Sequence, residues 1–254
     1  MPLLEISNLS LEFGGLTALA NFNFTLDQGQ LFGLIGPNGA GKTTAFNIVT
    51  GVYEPTVGTV VFDGRSIAGM PPFRINRLGI ARTFQNIRLF SGLSVLENVL
   101  VGFNQSITHG FMGTVLRTPH HQNEDNHRDN EAMQLLETLR LIDRAEDPAA
   151  SLPYGQQRRL EIARALATRP RILLLDEPAA GMNPNEKSEL MDLIRFIRDQ
   201  FKVGIWLIEH DMKLVMTICE RITVLDHGDT IATGTPAQVQ ADPRVIEAYL
   251  GEPE

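Results

Sequence analysis

One cysteine, Cys219, is all that 254 residues contain, so neither an intrachain disulfide nor a cysteine-built zinc cluster is available, and a reducing compartment fits. Long hydrophobic runs are missing too. Nowhere do about 18 uncharged apolar residues follow one another, as a membrane-crossing helix needs, and the opening Met1-Pro-Leu-Leu-Glu5 has no basic stretch leading into an apolar core. The expectation is a chain that neither spans a membrane nor leaves the cell by a signal peptide, and that works at a membrane only when a partner holds it there. Basic charge is also short. With 22 Lys and Arg against 30 Asp and Glu the net charge is −8, which argues against sequence-independent nucleic-acid binding, because that needs a basic surface to displace counterions. An apolar fraction of 43% with 20% charged residues excludes a mostly disordered chain and allows a full core.

Against these absences stands one strong feature, Gly36-Pro37-Asn38-Gly39-Ala40-Gly41-Lys42-Thr43-Thr44. It follows an apolar run, Leu31 to Ile35, that reads as a buried strand, and it leads into a helical pattern, Ala45 to Thr50, closed by Gly51. A triphosphate needs several donors at close range, and only a backbone free of bulky side chains wraps it with its own N–H groups. Gly36, Gly39 and Gly41 permit that approach. The positive end of the helix dipole faces the anion, Lys42 reaches the outer phosphates, and the Thr43 hydroxyl is placed to ligate Mg2+. This is the complete G-x-x-x-x-G-K-[ST] pattern in its strand-loop-helix context.

The rest of the chain reads as a fold around that loop. Leu3 to Leu11 and Asn21 to Leu26 alternate like half-buried antiparallel strands with a turn at Gly14-Gly15, and Thr59 to Phe62 and Ile80 to Phe84 are further short strands. From Ser94 the pattern turns helical, with Ser94 and Glu97 spaced as a capping box. Residues 104–130 read as a loop or partly helical insertion. Met133, Leu135, Leu136, Leu139 and Ile142 share one helical face, and Gln156 to Ala167 gives another helix. Strands return at Arg171 to Leu175 and Val203 to Ile208. Between them Asn183 and Pro184 start a helix whose buried stripe is Leu190, Leu193, Ile194, Ile197 and Phe201. Ile222 to Leu225 and Thr230 to Thr233 form a hairpin, and Thr235-Pro236 opens a terminal helical segment. The predicted fold class is α/β: a RecA-like P-loop NTPase core with an N-terminal antiparallel β layer and an inserted all-helical subdomain. The corresponding divisions are residues 1–93, 94–165 and 166–254.

Four apolar residues, Ile172 to Leu175, bury a strand and leave Asp176 and Glu177 at its carboxyl end, where open α/β sheets place ligands. With a phosphate loop upstream, Asp176 is a candidate to hold magnesium, through water, and Glu177 to polarise the attacking water. His120, His121 and His127, among polar neighbours, read as a solvated loop. Arg158 and Arg159 read as an exposed helix face, and Met182, Met191, Met212 and Met216 as packing.

The loop at Gly36, the segment Leu152-Pro-Tyr-Gly155-Gln156-Gln-Arg-Arg, the Asp176-Glu177 pair and Glu209-His210-Asp211 follow the order and approximate spacing of an ATP-binding cassette ATPase. The resemblance covers nearly the whole chain. Phe13-Gly-Gly-Leu16, Arg82-Thr-Phe-Gln85, Tyr154-Gly-Gln-Gln-Arg-Arg-Leu-Glu, Asp176-Glu-Pro-Ala-Ala-Gly-Met-Asn-Pro184 and Glu247-Ala-Tyr-Leu-Gly251 narrow it to the ATPase subunits of branched-chain amino acid importers. The resemblance implies that Phe13 stacks on the adenine of ATP, although a core phenylalanine at a strand end is the alternative. It further implies that Gln85 touches magnesium or the lytic water, that His210 contacts the γ-phosphate beside Glu177, and that Asn183 stands where the family usually has Asp in a loop crossing to a partner subunit.

Partners are implied in the same way. The signature of one subunit, with Gly155 and Gln156 at the start of its helix, would close over ATP held by another cassette, so a second ATPase subunit, homologous or identical, is required. Transmembrane permease subunits and, indirectly, an external solute-binding protein complete the expected assembly. It would sit peripherally at the cytoplasmic face of the inner membrane and bind no nucleic acid. The signature departs from the pattern where Pro153 replaces Ser, removing a hydroxyl and an N–H, and where Tyr154 replaces Gly. A related importer for urea or another amide or amino acid is the neighbouring alternative. A soluble cassette ATPase is the next rival, but neither coiled-coil heptads nor a second glycine loop is present. A non-hydrolysing ATP sensor conflicts with Glu177 and His210, and a GTPase with the lack of an N-K-x-D sequence.

Overall fold

The structure, a computed structural model, describes residues 2–103 and 119–250. It divides into two compact units, residues 1–85 with 171–254, and residues 86–170.

The first unit holds two sheets. β1 (Leu4–Phe13) and β2 (Leu16–Leu26) form the expected hairpin, longer than the alternation alone indicated. With β4 (Val57–Phe62) and β5 (Arg65–Ser66) they make an antiparallel sheet in the order β2-β1-β4-β5. The second sheet has the order β10-β9-β3-β8-β7-β6, with β3 (Leu31–Ile35) between β8 (Gly204–Ile208) and β9 (Arg221–Asp226). β6 (Ile80–Arg82) and β7 (Ile172–Asp176) continue it in parallel, and β10 (Asp229–Gly234) closes the other edge as the antiparallel arm of a hairpin. Every residue of β3, β7 and β8 is buried, as expected of parallel strands covered on both faces. β6 is shorter than expected, ending at Arg82, although the Thr83 amide still donates to the Leu174 carbonyl at 2.9 Å.

An aromatic cluster fills the core between the sheets. Trp206 of β8 stacks on Phe24 at 4.0 Å between centroids and meets Phe46 edge-on at 4.9 Å. Helices α1 (Lys42–Val49), α2 (Pro72–Leu78), α6 (Pro184–Phe201), α7 (Met212–Ile218), α8 (Pro236–Gln240) and α9 (Pro243–Leu250) belong to this unit, while α3 (Val95–Phe103), α4 (Pro119–Thr138) and α5 (Tyr154–Ala167) belong to the other. Local chemistry sets the helix starts. Asn183 and Glu186 cap α6 reciprocally with Pro184 at its first position, and Thr235 with Gln238 does the same for α8. Along α6 the buried residues are Leu190, Met191, Ile194 and Ile197; Phe201, expected in that stripe, is the last helical residue before the turn at Lys202 (φ 51°) and remains exposed.

In the second unit the Ser94–Glu97 capping box forms, with Ser94 N to Glu97 Oε2 at 2.7 Å and Glu97 N to Ser94 Oγ at 3.1 Å. α3 packs against α5 closely enough that a Cβ on Gly102 would lie 2.6 Å from the Arg164 carbonyl oxygen. Both expected divisions, at 93/94 and 165/166, fall inside this unit. On its leading side, the Arg88 amide donates to Glu161 Oε1 and the Phe90 amide to Asn98 Oδ1, tying the preceding loop to the helices. The reading of 104–130 as an insertion lies partly outside the described residues; from Pro119 the chain is helical through Thr138. The side chains of His120 and His121 are likewise outside them, and His127 is an exposed residue whose Nε2 lies 3.3 Å from Glu131 Oε1. One expectation is overturned here: Arg158 is fully buried, because its Nη1 meets the equally buried Glu161 Oε2 at 2.7 Å one helical turn on.

Candidate active site

The phosphate loop lies between β3 and α1, as strand-loop-helix order requires. Two of its glycines are obligatory. Gly36 has φ +153° and a Cβ there would sit 2.1 Å from the Leu225 carbonyl oxygen; Gly41, at φ +99°, would bring one within 2.7 Å of the Ala18 carbonyl. The loop is braced by the β9–β10 hairpin, whose Gly228 amide donates to the Ala40 carbonyl at 3.2 Å while its own carbonyl accepts from the Ala20 amide. Lys42 donates to the Gly36 and Pro37 carbonyls at 2.6 and 2.8 Å. Burial holds its ammonium below the usual lysine range, opposed by the Glu177 and Asp176 carboxylates. Both acids therefore act electrostatically on the lysine that would meet the phosphates. Thr43 and Thr44 occupy the first turn of α1, Thr43 exposed at the helix N-terminus.

Asp176 and Glu177 emerge at the carboxyl end of β7, but their surroundings differ. Asp176 is buried, its Oδ2 accepting from Arg82 Nη2 at 2.7 Å. Glu177 follows with φ +44°, a left-handed conformation rare for a non-glycine residue and common at functional sites. Its Oε2 accepts from Gln85 Nε2 at 2.9 Å and lies 3.7 Å from His210 Nδ1. Gln85, Glu177 and His210, far apart in sequence, thus meet at one carboxylate. Behind them Glu209 is buried, its Oε1 taking the Ala179 amide at 2.8 Å, so it fixes the loop leaving Glu177. Burial lifts the Glu209 carboxyl above its usual range; the amides of Ala179 and His210 pull it back.

Phe13 is 47% exposed at the end of β1, so it is not a core phenylalanine; its ring meets that of Tyr53 edge-on at 5.2 Å. In the second unit, Pro153 is the residue before α5 and offers no side-chain cap. The amides of Gln156 and Gln157 both donate to its carbonyl at 2.9 Å. Gly155 lies in the first turn, and the Gln156 side-chain oxygen is buried without a hydrogen-bond partner among the described residues. Asn183 caps α6 through the Glu186 amide.

The ABC transporter family profile matches residues 19–180, spanning the phosphate loop, the signature and the two acids. The chain belongs to the ATP-binding cassette ATPases. A second profile, described as branched-chain amino acid ATP-binding cassette transporter, matches residues 230–254. This cassette is 47% identical over 251 residues to the high-affinity branched-chain amino acid transport ATP-binding protein BraF of Pseudomonas aeruginosa, covering 99% of this chain and 98% of that protein. The same identity and coverage hold for LivG of Escherichia coli K12, which carries the same description. Among solved structures it resembles the ADP conformation of MJ1267, an ATP-binding cassette of an ABC transporter, with a TM-score of 0.86, 30% identity and coverage of 99% and 100% of the two chains. The RecA-like core with its antiparallel layer is thus the fold of the family, and the cassette is a nucleotide-binding ATPase.

Two residues at this site were not singled out from sequence. An arginine closing an otherwise apolar strand, Ile80-Ala81-Arg82, is a signal for a buried partner, but no local pattern names Asp176 as that partner. Glu209, next to His210, carried no signal of its own.

Proposed function

We propose that this cassette is the ATP-hydrolysing subunit of an importer of branched-chain amino acids. The observation that carries the solute class is the full-length identity to BraF and LivG, joined by the C-terminal match at residues 230–254. Hydrolysis is supported by the meeting of Gln85 and His210 at Glu177 Oε2. In this reading the loop 36–44 wraps the phosphates with Lys42 on the outer ones, and Phe13 takes the adenine. Glu177 accepts the proton of the attacking water, which His210 and Gln85 orient. The exposed Thr43 hydroxyl and the Asp176 carboxylate, with Gln85, would hold magnesium. Among the described residues no group of three or more His, Cys, Asp or Glu could hold a metal ion, which fits a cation completed by phosphate oxygens and water. When bound, magnesium would neutralise charge on the β- and γ-phosphates.

Assembly follows the family resemblance. A second cassette supplies Gly155 and Gln156 of its signature to the γ-phosphate, with the positive end of α5 behind them. Permease subunits hold the pair at the cytoplasmic face of the membrane. No helix among the described residues is long and apolar enough to cross a membrane, so attachment through those subunits suits the chain. An external binding protein delivers the solute. The decisive experiment is Glu177→Gln in the assembled transporter, with ATP turnover and size-exclusion chromatography as readouts. Turnover falls at least a hundredfold and an ATP-bound dimer accumulates, in keeping with about 10²–10⁴ for a general base. Full turnover would refute the assignment of the base. Loss of labelled leucine uptake on deleting the gene tests the solute, and uptake lost only for urea or another amide would refute that part alone.

A further inference from the structure

Arg82 bonds both to Asp176 at the end of β7 and to α1, the helix that carries Thr43, and so links two of the three proposed magnesium ligands. Its guanidinium is buried, the side chain 7% exposed and that of Asp176 4%. One terminal nitrogen, Nη2, donates to Asp176 Oδ2 at 2.7 Å. The other, Nη1, donates to Asn47 Oδ1 at 2.7 Å and lies 3.4 Å from Thr50 Oγ1, both on or just after α1. The rings of Phe46 and Phe84 lie 5.5 and 5.2 Å from the guanidinium carbon. Asn47 stands four residues after Thr43 in α1, hence one turn along the same helix face.

We propose that Arg82 is a positioning residue that sets the separation between Thr43 and Asp176, and through it the affinity of the nucleotide site for a divalent cation. The proposal rests on the magnesium reading given above. A planar fork suits the task, because it holds two acceptors in fixed directions at once. It bonds one oxygen of Asp176 and leaves Oδ1 without a partner among the described residues. Charge alone would work in the other direction. A cation beside Asp176 repels a second cation, so if electrostatics dominated, Arg82 would weaken magnesium binding. Substitution by lysine separates the two effects, since it keeps the charge and loses the fork, whereas removing the Asn47 side chain keeps the ion pair and loses its anchor on α1.

The test uses the full chain, a fluorescent ATP analogue and magnesium chloride, with binding measured in EDTA and across a magnesium titration, and thermal unfolding recorded for each variant. For Arg82→Lys the magnesium concentration giving half-maximal binding rises about tenfold, the equivalent of one charge-assisted hydrogen bond at its lower bound. For Asn47→Ala it rises about threefold, the smaller loss expected of a neutral acceptor. Binding in EDTA stays within about twofold of the parent in both, because neither residue touches the phosphate loop. A tighter or unchanged magnesium requirement in Arg82→Lys overturns the proposal. So does equal weakening with and without magnesium, which marks a general loosening of the site. Should Arg82→Lys fail to fold, Asn47→Ala decides alone by the same criteria. If the parent chain itself binds the analogue with no dependence on magnesium, the underlying metal reading falls, an outcome distinguishable from failure of the Arg82 role.

Discussion

Removing Glu161 from the helix that carries the signature should destabilise the second unit more than any surface change. Its carboxylate faces Arg158 at 2.7 Å, and both side chains are essentially without solvent contact. At an effective dielectric of about 20 the gross attraction at that distance is roughly 6 kcal/mol, but much of it offsets the cost of taking two charges out of water. The measurable quantity is therefore the cost of breaking the pair. Glu161→Ala leaves the buried guanidinium without its carboxylate and deprives the Arg88 amide of its acceptor, for a loss of about 3–5 kcal/mol. Replacing both partners by methionine removes the stranded charge, so Arg158→Met/Glu161→Met should lose only about 1–2 kcal/mol, the share of the Arg88 amide. Urea unfolding followed by circular dichroism gives the global value. Amide exchange at Arg88 and along α5 tells whether the loss is local, which matters because two units need not unfold as one. A single Glu161→Ala variant within about 1 kcal/mol of the parent, or a double variant less stable than the single, would refute the reasoning.

Two further outcomes follow from buried titratable groups. Cys219 is buried and burial pushes its thiol well above the usual range, so the native protein should resist iodoacetamide at pH 8 and react fully only when unfolded; native labelling at the rate of free cysteine contradicts this. The Glu209 carboxyl, raised above the ordinary 4.5, keeps its proton in the folded state at pH values where the unfolded chain has lost it, so stability falls as pH rises through that window. Glu209→Gln abolishes this dependence: the variant should gain on the parent as pH climbs above 4.5 and hold a constant difference beyond the folded value, and denaturation midpoints diverging in the opposite sense would count against the assignment.

What the sequence disclosed follows the range of the interactions involved. The phosphate loop, the Ser94 and Asn183 caps and the strand Ile172–Asp176 are written in residues a few positions apart, and each is read from spacing alone. α2 was overlooked although Pro72 opens it and Gly79 at φ +116° ends it, because seven residues give too little periodicity. The pairing of Arg82 with Asp176 and the hold of Glu209 on Ala179 depend on which strands become neighbours, and no local pattern encodes that. Arg158 shows the same limit in reverse. Its partner was only three residues away, yet the decision to bury the pair belongs to the helices that cover it.

The hairpin behind the phosphate loop bears on the order in which this molecule becomes competent. Gly36 is pressed against the carbonyl of Leu225, and Ala40 is held by the amide of Gly228, so the mould in which the loop is cast is made from a late stretch of the polypeptide. β3 likewise has both neighbouring strands, β8 and β9, still to come when the ribosome has finished the glycine motif. A nascent chain halted before residue 221 would own every side chain of the loop but lack β9, the Leu225 carbonyl and the Gly228 amide that shape it. Nucleotide capture therefore matures near the end of synthesis, after the second unit has already left the ribosome.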